Sequence, residues 1–566
     1  ATELGARYSH GQTFLTWREP ADLAGLRFQV LIHDEPITEA NASEAEVANH
    51  HITPASATDW WAHPETYGKP MKPDEDGNKP EVKPIGWVIE EGGERLDPQS
   101  GLSVHTVTPA SEGARYFAVV AVDEATGERA DTVEPGANSL TAPVEQSVAP
   151  IEPIWQGDPA AKPEPGAGDG LPLDLTLHAK TGRGGMEWLA FGDADLAWSD
   201  GLPFKFGADA RDDAVSVRPT DRTWIGRMFP EGRDSCQHLT RSIHTFWFGY
   251  SDHIYDPNLM AEGKCVNYSE RRLLWILAWV MERFETDRNR TYSTGGSMGG
   301  CGTMSFSFRH PEIFAAVAPN VPIVTYGKGP VGDSSFRVEA YTGALDSPYG
   351  DGTIHDQLNA ARFAQQADVD LPFLVISVGR KDGSIPWGKN PPFFRAMQAA
   401  RQGMVAAWSE GTHGEVAKLL PDDVRRQTSF AWMHRFALNE SYLAFSNCSA
   451  DDDPGEGPAD SGDPVGFMGR GLDFEILADD EERYEARATW TLEPESLPVT
   501  VDVTPRRVQG MEWSPGDQVA AKIIDQATGD TLSDASVQVS ENGLLTLEGV
   551  QVRSADGTRI IVTRTR

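Results

Sequence analysis

The amino-acid sequence predicts an α/β protein: a central domain built on a mostly parallel sheet, flanked by an N-terminal and a C-terminal β-sandwich. Three observations predict it. Between residues 172 and 447 short apolar runs alternate with helical patterns, the arrangement of βαβ units whose sheet is covered on both faces. Residues 1–148 and 467–566 instead carry short runs that alternate apolar and polar between turn-forming residues, as strands of antiparallel sheets do. Two polar tracts separate the three parts: 149–171, with Pro150, Pro153, Pro159, Pro163 and Pro165, reads as a surface linker, and 448–466 as an acidic linker. A chain of 566 residues exceeds one ordinary core and accommodates this division.

In order along the chain, the N-terminal strands are expected at 12–17, 27–32 and 116–122, a pattern that resembles a fibronectin type III module. In the central domain strands are expected at 173–177, 243–248, 291–294, 314–317, 373–378 and 404–408. A helix is expected over 267–285, where Asn267 and Glu270 have capping-box spacing and Leu273, Leu274, Leu277, Val280, Met281 and Phe284 recur at helical intervals. The tract DDDPGEGPADSGDP has no apolar periodicity and reads as a loop, with a calcium loop as the sharper alternative. The last domain places strands at 498–503, 519–524 and 559–562.

Composition excludes some partners. With 85 acidic against 49 basic residues and a formal net charge of -36, the chain lacks the electrostatic footprint of a nucleic-acid binder. No window approaches the length of apolar run that spans a bilayer, so no membrane partner is expected. A start at Ala1 without an apolar leader is what a mature exported chain looks like, giving the expectation of a secreted protein, extracellular or periplasmic. Cys236, Cys265, Cys301 and Cys448 lack the spacing of a zinc site and allow three disulfide pairings if all are oxidised. No metal or other cofactor is expected.

The segment TYSTGGSMGGCGTM carries chemistry. Gly295, Ser297 and Gly299 form a G-x-S-x-G pentapeptide after a β-rich run and before a stretch of small and apolar residues. In a strand-to-helix elbow the serine occupies a strained backbone conformation, and the glycines remove side chains that would collide across the turn. Ser297 is the expected nucleophile, and the Met298 amide, at the positive end of the following helix, the expected oxyanion-hole donor.

A serine hydroxyl needs a general base and a group that orients it. The apolar run at 373–378 leads into GRKDGSIPW, which places Asp382 beyond a strand end, and the run at 404–408 leads into SEGTHG, which places His413 at the same edge. Asp382 is the expected orienting acid and His413 the base, with Asp346, Asp356 and Asp370 as alternative acids and His310, His355 and His434 as competing histidines. The second oxyanion donor is expected in LHAKTGRGG, at the amide of Lys180 or Thr181. Tyr250 and Trp387, beyond strand ends, are the expected substrate contacts.

On LHAKTGRGG, FWFGYSD, GGSMGG, GRKDGSIPW and EGTHG, the central domain resembles a serine esterase of the α/β-hydrolase superfamily, close to the feruloyl esterase and polyhydroxybutyrate depolymerase group. Ala179 departs from the His-Gly that such enzymes carry after the early strand. The resemblance implies a carboxylic ester as substrate, on or forming a polymer: an acylated or feruloylated polysaccharide, or a hydroxyalkanoate polyester. A serine peptidase of the same fold, and a carbohydrate-binding surface protein with a relic hydrolase domain, are the alternatives.

Overall fold

The computed structural model describes residues 1–59, 84–177, 187–191, 203–219, 222–224, 242–254, 262–327, 334, 336–366 and 368–564. At its centre lies a ten-stranded sheet whose strands, in chain order, are β1 (Ile154–Trp155), β2 (Leu173–Leu177), β3 (Glu187–Phe191), β4 (Pro203–Ala210), β5 (Val215–Pro219), β6 (Thr291–Gly296), β7 (Ala316–Asn320), β8 (Phe373–Gly379), β9 (Met404–Ser409) and β10 (Gly466–Met468). Across the sheet the order is β10-β9-β8-β7-β6-β2-β5-β4-β3-β1. Strands from β9 to β5 run parallel, and both margins are antiparallel.

Strands β8 and β9, FLVISVG and MVAAWS, read as near-continuous apolar runs because both of their faces are covered. In β8, Leu374, Ile376 and Val378 join the core under helices α1 (Tyr268–Phe284), α2 (Met298–Arg309) and α3 (Asn390–Ala399), while Phe373 and Val375 pack on Met433, Phe436 and Tyr442. Helix α1 buries Leu273, Ile276, Leu277, Val280 and Phe284, and a left-handed Glu285 ends it. The expected capping box does not form. Asn267 makes no side-chain cap to the helix backbone; its side-chain amide donates at 3.2 Å to the Glu270 carboxylate, which also meets the Arg309 guanidinium and His310.

Three sequence expectations shift. Of the expected 243–248 strand only Ile243 and His244 are extended, within Ser242–His244, which forms a two-stranded ribbon with Arg222–Trp224. Phe246 and Trp247 then turn with φ of 52° and 63°, which seats Trp247 against α2, where a Cβ on Gly302 would stand 2.0 Å from the indole. The proline-rich linker contributes β1, because Trp155 packs on Trp188 at a ring separation of 5.0 Å and a two-residue edge strand tolerates the prolines around it. At the other boundary the chain crosses over: Tyr442–Ser446 pairs with Val499–Arg506 in the C-terminal domain, and β10 returns to the central sheet.

The N-terminal part is two packed antiparallel sheets, of three and four strands, around Leu15, Trp17, Phe28, Val30, Phe117 and Val119. Its second contact surface faces the sheet margin: Phe14, Trp87, Leu102 and Val104 pack on Leu189 and Phe191 of β3. Beside them the Lys205 ammonium of β4 donates to Asp59 at 2.9 Å, both side chains being nearly fully buried. The C-terminal part packs a three-stranded on a five-stranded sheet. Arg507 fastens it to the central domain by donating to the carbonyls of Ala315, Phe314 and Leu371. Among the described residues no helix is long and apolar enough to cross a membrane, no cluster suited to a metal occurs, and no disulfide joins Cys265, Cys301 and Cys448. Cys236 lies outside the described residues.

At the crossover Asp451 accepts from the Gly469 amide and from Gln398, and burial pushes its carboxyl from 3.8 up to about 6. Between about pH 4 and 6 the folded chain therefore keeps a proton that the unfolded chain has released, so this group's contribution to stability falls as pH rises across that window and is level above it. Asp451→Asn keeps an acceptor for Gly469 and removes the titration. Thermal melts are expected to show the variant above wild type by several degrees at about pH 7.5 and level with it at about pH 4; a difference independent of pH would contradict this.

Candidate active site

The nucleophile turn is built from β6, whose register sets Gly295 opposite Leu177 on one side and Pro319 on the other. After Gly296 the chain reverses at Ser297 with φ 57° and ψ -119°, and α2 starts at Met298. A side chain at φ near +57° is strained, and the surroundings hold it there. The Ser297 amide donates to the Asn320 carbonyl at 3.0 Å, and its own carbonyl accepts from Cys301 at 2.8 Å. The turn is tight enough to demand glycine at two places: a Cβ on Gly295 would stand 2.3 Å from the Gly299 carbonyl oxygen, and one on Gly300 2.5 Å from that of Asn320. Gly300 was not singled out in the sequence, where it is one glycine among several. The Met298 amide belongs to the first turn of α2, whose N–H groups have no intrahelical acceptor.

Strands β8 and β9 end beside this turn. A Cβ on Gly379 would meet the Gly411 carbonyl at 2.4 Å, so glycine there lets the two following loops approach. His413 stands between the other two residues: Nε2 lies 2.7 Å from Ser297 Oγ and Nδ1 lies 2.7 Å from Asp382 Oδ2. Thr412 donates through its amide and hydroxyl to Glu415 and so closes the turn that carries His413. The Asp382 side chain is 1% exposed against 33% for His413. Its second oxygen, Oδ1, accepts the amides of Ser384 at 2.7 Å and Ile385 at 3.0 Å, which fixes the plane of the carboxylate. The arrangement sets a strained hydroxyl against an imidazole that can take its proton, with a buried carboxylate that orients the ring and stabilises the imidazolium.

The competing residues are engaged elsewhere. His434 sits 2.9 Å from Asp174, at the start of β2 and thus the opposite end of the sheet. His310 faces Glu270, and His355 lies in a one-turn helix, Ile354–Gln357, capped by Thr353 in a capping box with Asp356. Asp370 pairs with Arg506. Cys265 and Cys448 are poor nucleophiles, since burial pushes the Cys265 thiol up to about 12 and the Cys448 thiol up to about 11. Glu270 is held down to about 2: burial opposes this, and the charges of Arg309 and His310 outweigh it.

Two expected substrate contacts are corrected. Tyr250 is 1% exposed, its ring 4.6 Å from that of Tyr268 and its hydroxyl accepting from Arg272, so it belongs to the apolar cluster beside the site. Trp387 is buried under the Asp382 loop, packed on Phe394 and Trp408 with the Arg380 guanidinium over its ring. Both do lie at the expected sheet edge, but their side chains point inward. Lys180 and Thr181 lie outside the described residues; β2 ends at Leu177. Asn320, Ser377 and Arg380 were missed. Ser377 donates to the Asn320 side chain at 2.7 Å beneath the nucleophile turn, a contact between two strand ends that no local motif announces.

Residues 273–431 match the prolyl oligopeptidase family, peptidase family S9. No curated protein matches the chain. Among solved structures, an S-formylglutathione hydrolase from Agrobacterium tumefaciens is 16% identical, with 47% of this chain and 84% of that chain covered and a TM-score of 0.30. A putative dipeptidyl aminopeptidase IV from Bacteroides ovatus is 14% identical over 59% of this chain and 45% of that one, with a TM-score of 0.28. A ferulic acid esterase is 15% identical over 47% and 82%, with a TM-score of 0.25. The central domain is of the α/β-hydrolase type, and the chain is a serine hydrolase.

Proposed function

We propose that this serine hydrolase cleaves carboxylic esters through an acyl-enzyme, with Ser297 as nucleophile, His413 as base and Asp382 as orienting acid. The observation that carries the proposal is the unbroken chain of two 2.7 Å contacts that ends on the strained serine. As Ser297 Oγ attacks the ester carbonyl, its proton passes to His413 Nε2, while Nδ1–H continues to donate to Asp382. The oxyanion that forms accepts from the Met298 amide, aided by the end of the α2 dipole, and a second donor is proposed at Lys180. On collapse His413 gives its proton to the departing alcohol; water then enters by the reverse route and releases the acid. An ester borne by a polymer, whether a feruloylated polysaccharide or a polyester, suits a catalytic domain held between two β-domains.

A peptidase is the second reading, favoured by the match of residues 273–431 to the prolyl oligopeptidase family. The test is a panel: p-nitrophenyl acetate and butyrate, methyl ferulate, acetylated xylan and polyhydroxybutyrate beside dipeptidyl p-nitroanilides. The expected result is turnover of esters, with kcat/KM for any anilide at least about 100-fold lower. Cleavage of an anilide with equal or greater kcat/KM would replace the ester reading by the peptidase one, and no turnover of either class would remove both.

A further inference from the structure

Arg380 is the first residue after β8 and lies two residues before Asp382. Its amide donates to the Ser409 carbonyl at the end of β9, 2.8 Å away, so its backbone bridges the two strands that supply the acid and the base. Its guanidinium points away from the site and is 6% exposed. There it meets main-chain carbonyls of one loop: Nη1 donates to Gly462 and Asp463, and Nη2 to Ala459 and to Ser461 at 2.8 Å. The plane of the guanidinium also covers the ring of Trp387, at 5.5 Å, in the loop that follows Asp382.

The carbonyls are held ready. Asp453 and Asp463 close the loop reciprocally, the amide of each bonded to the other, and Trp408 of β9 donates to the Asp463 carbonyl at 2.9 Å. Gly455 and Gly462 have φ of 76° and 72°, and a Cβ on either would collide with the opposite limb of the loop at 2.3 Å. A planar cation with five donors matches this ring of acceptors, and an ammonium with three does not. The acidic tract read from sequence as a linker thus wraps an arginine of the central domain.

We propose that Arg380 is a positioning residue: by clasping the 459–463 segment it locks the loop that carries Asp382 and so sets the rate of the chemical step. The inference rests on the triad proposed above. The Asp382 carboxylate is bonded to its own loop and to His413, and beside the exposed pair Lys381–Glu410 the buried Arg380, with Trp387, fastens that loop from behind. A displacement of about 1 Å in such a relay costs on the order of 100-fold in rate.

The experiment compares wild type with Arg380→Met, Arg380→Lys and Asp463→Ala on p-nitrophenyl acetate, with active sites counted by exhaustive labelling with a fluorophosphonate. The expected result is a fall in kcat per labelled site of about 10- to 100-fold for Arg380→Met with KM within about twofold, partial recovery in Arg380→Lys, and a smaller fall in Asp463→Ala. In an Asp382→Asn background Arg380→Met should add less than about twofold, because the residue acts through Asp382. Unchanged kcat per site, a change confined to KM, or full additivity with Asp382→Asn would overturn the proposal; should Arg380→Met not fold, unchanged kcat in Asp463→Ala does the same. Failure of the triad would show separately, as a wild type that is neither labelled at Ser297 nor active.

Discussion

Ser297→Ala is expected to lower kcat for p-nitrophenyl butyrate by about 10⁵- to 10⁶-fold, and His413→Ala by as much, while the double variant loses no more than either single one. The expectation follows from geometry: Oγ and Nε2 stand 2.7 Å apart, so hydroxyl and imidazole act as one unit, and removing either abolishes the acyl-enzyme route. What survives is the contribution of binding and of the Met298 amide, which neither substitution touches. Steady-state kinetics with the variants, together with mass-spectrometric location of a fluorophosphonate adduct, checks this. Additive losses, or an adduct on another serine, would move the nucleophile elsewhere.

Asp382→Asn is expected to cost about 10⁴-fold in kcat, and to be at least as damaging as Asp382→Ala. The reason lies in the two amides that feed Oδ1. These amides donate and so need an oxygen opposite them; the asparagine carbonyl must therefore take the Oδ1 place, and its NH₂ must face His413 Nδ1. The imidazole is then forced to accept at Nδ1 and to carry its proton on Nε2, where it can no longer receive one from Ser297. Alanine leaves the tautomer free. Comparison of the two variants at equal active-site concentration distinguishes this from a simple loss of charge, for which asparagine would be the milder change.

How far the sequence could be read differs with the kind of contact. Ser297 was legible from its G-x-S-x-G pentapeptide, and Asp382 and His413 because each follows an apolar run; in a parallel sheet the ends of such strands share an edge. Helix α1 was legible from its periodicity, start and end included, though not its cap bonding: Glu270 has capping spacing but meets Arg309, far away in the chain. The antiparallel margin, β3 to β5, was missed because strands such as PFKFGADA interleave Lys205 and Asp209 with apolar residues, and the partners that bury them belong to another domain or to a neighbouring strand. Tyr250 and Trp387 show that position at a strand end gives the level of a residue in the sheet and not the direction of its side chain. The Arg380 clasp was invisible for a different reason: its acceptors are main-chain carbonyls, which every residue possesses.

The buried contact between Lys205 and Asp59 also bears on how the chain can be taken apart. It stands where the margin of the central sheet would otherwise meet solvent, within an apolar surface that Phe14 and Trp87 complete from the other side. Excision of the first 148 residues would take Asp59 away from Lys205 and uncover Leu189 and Phe191 on a broad sheet margin, the kind of surface that recruits other chains. The N-terminal part is therefore less a tethered accessory than a wall of the enzyme. A shortened version intended for expression or crystallisation would need that margin redesigned, and a natural shuffling event could not exchange this part for an unrelated module without inheriting the same exposed seam.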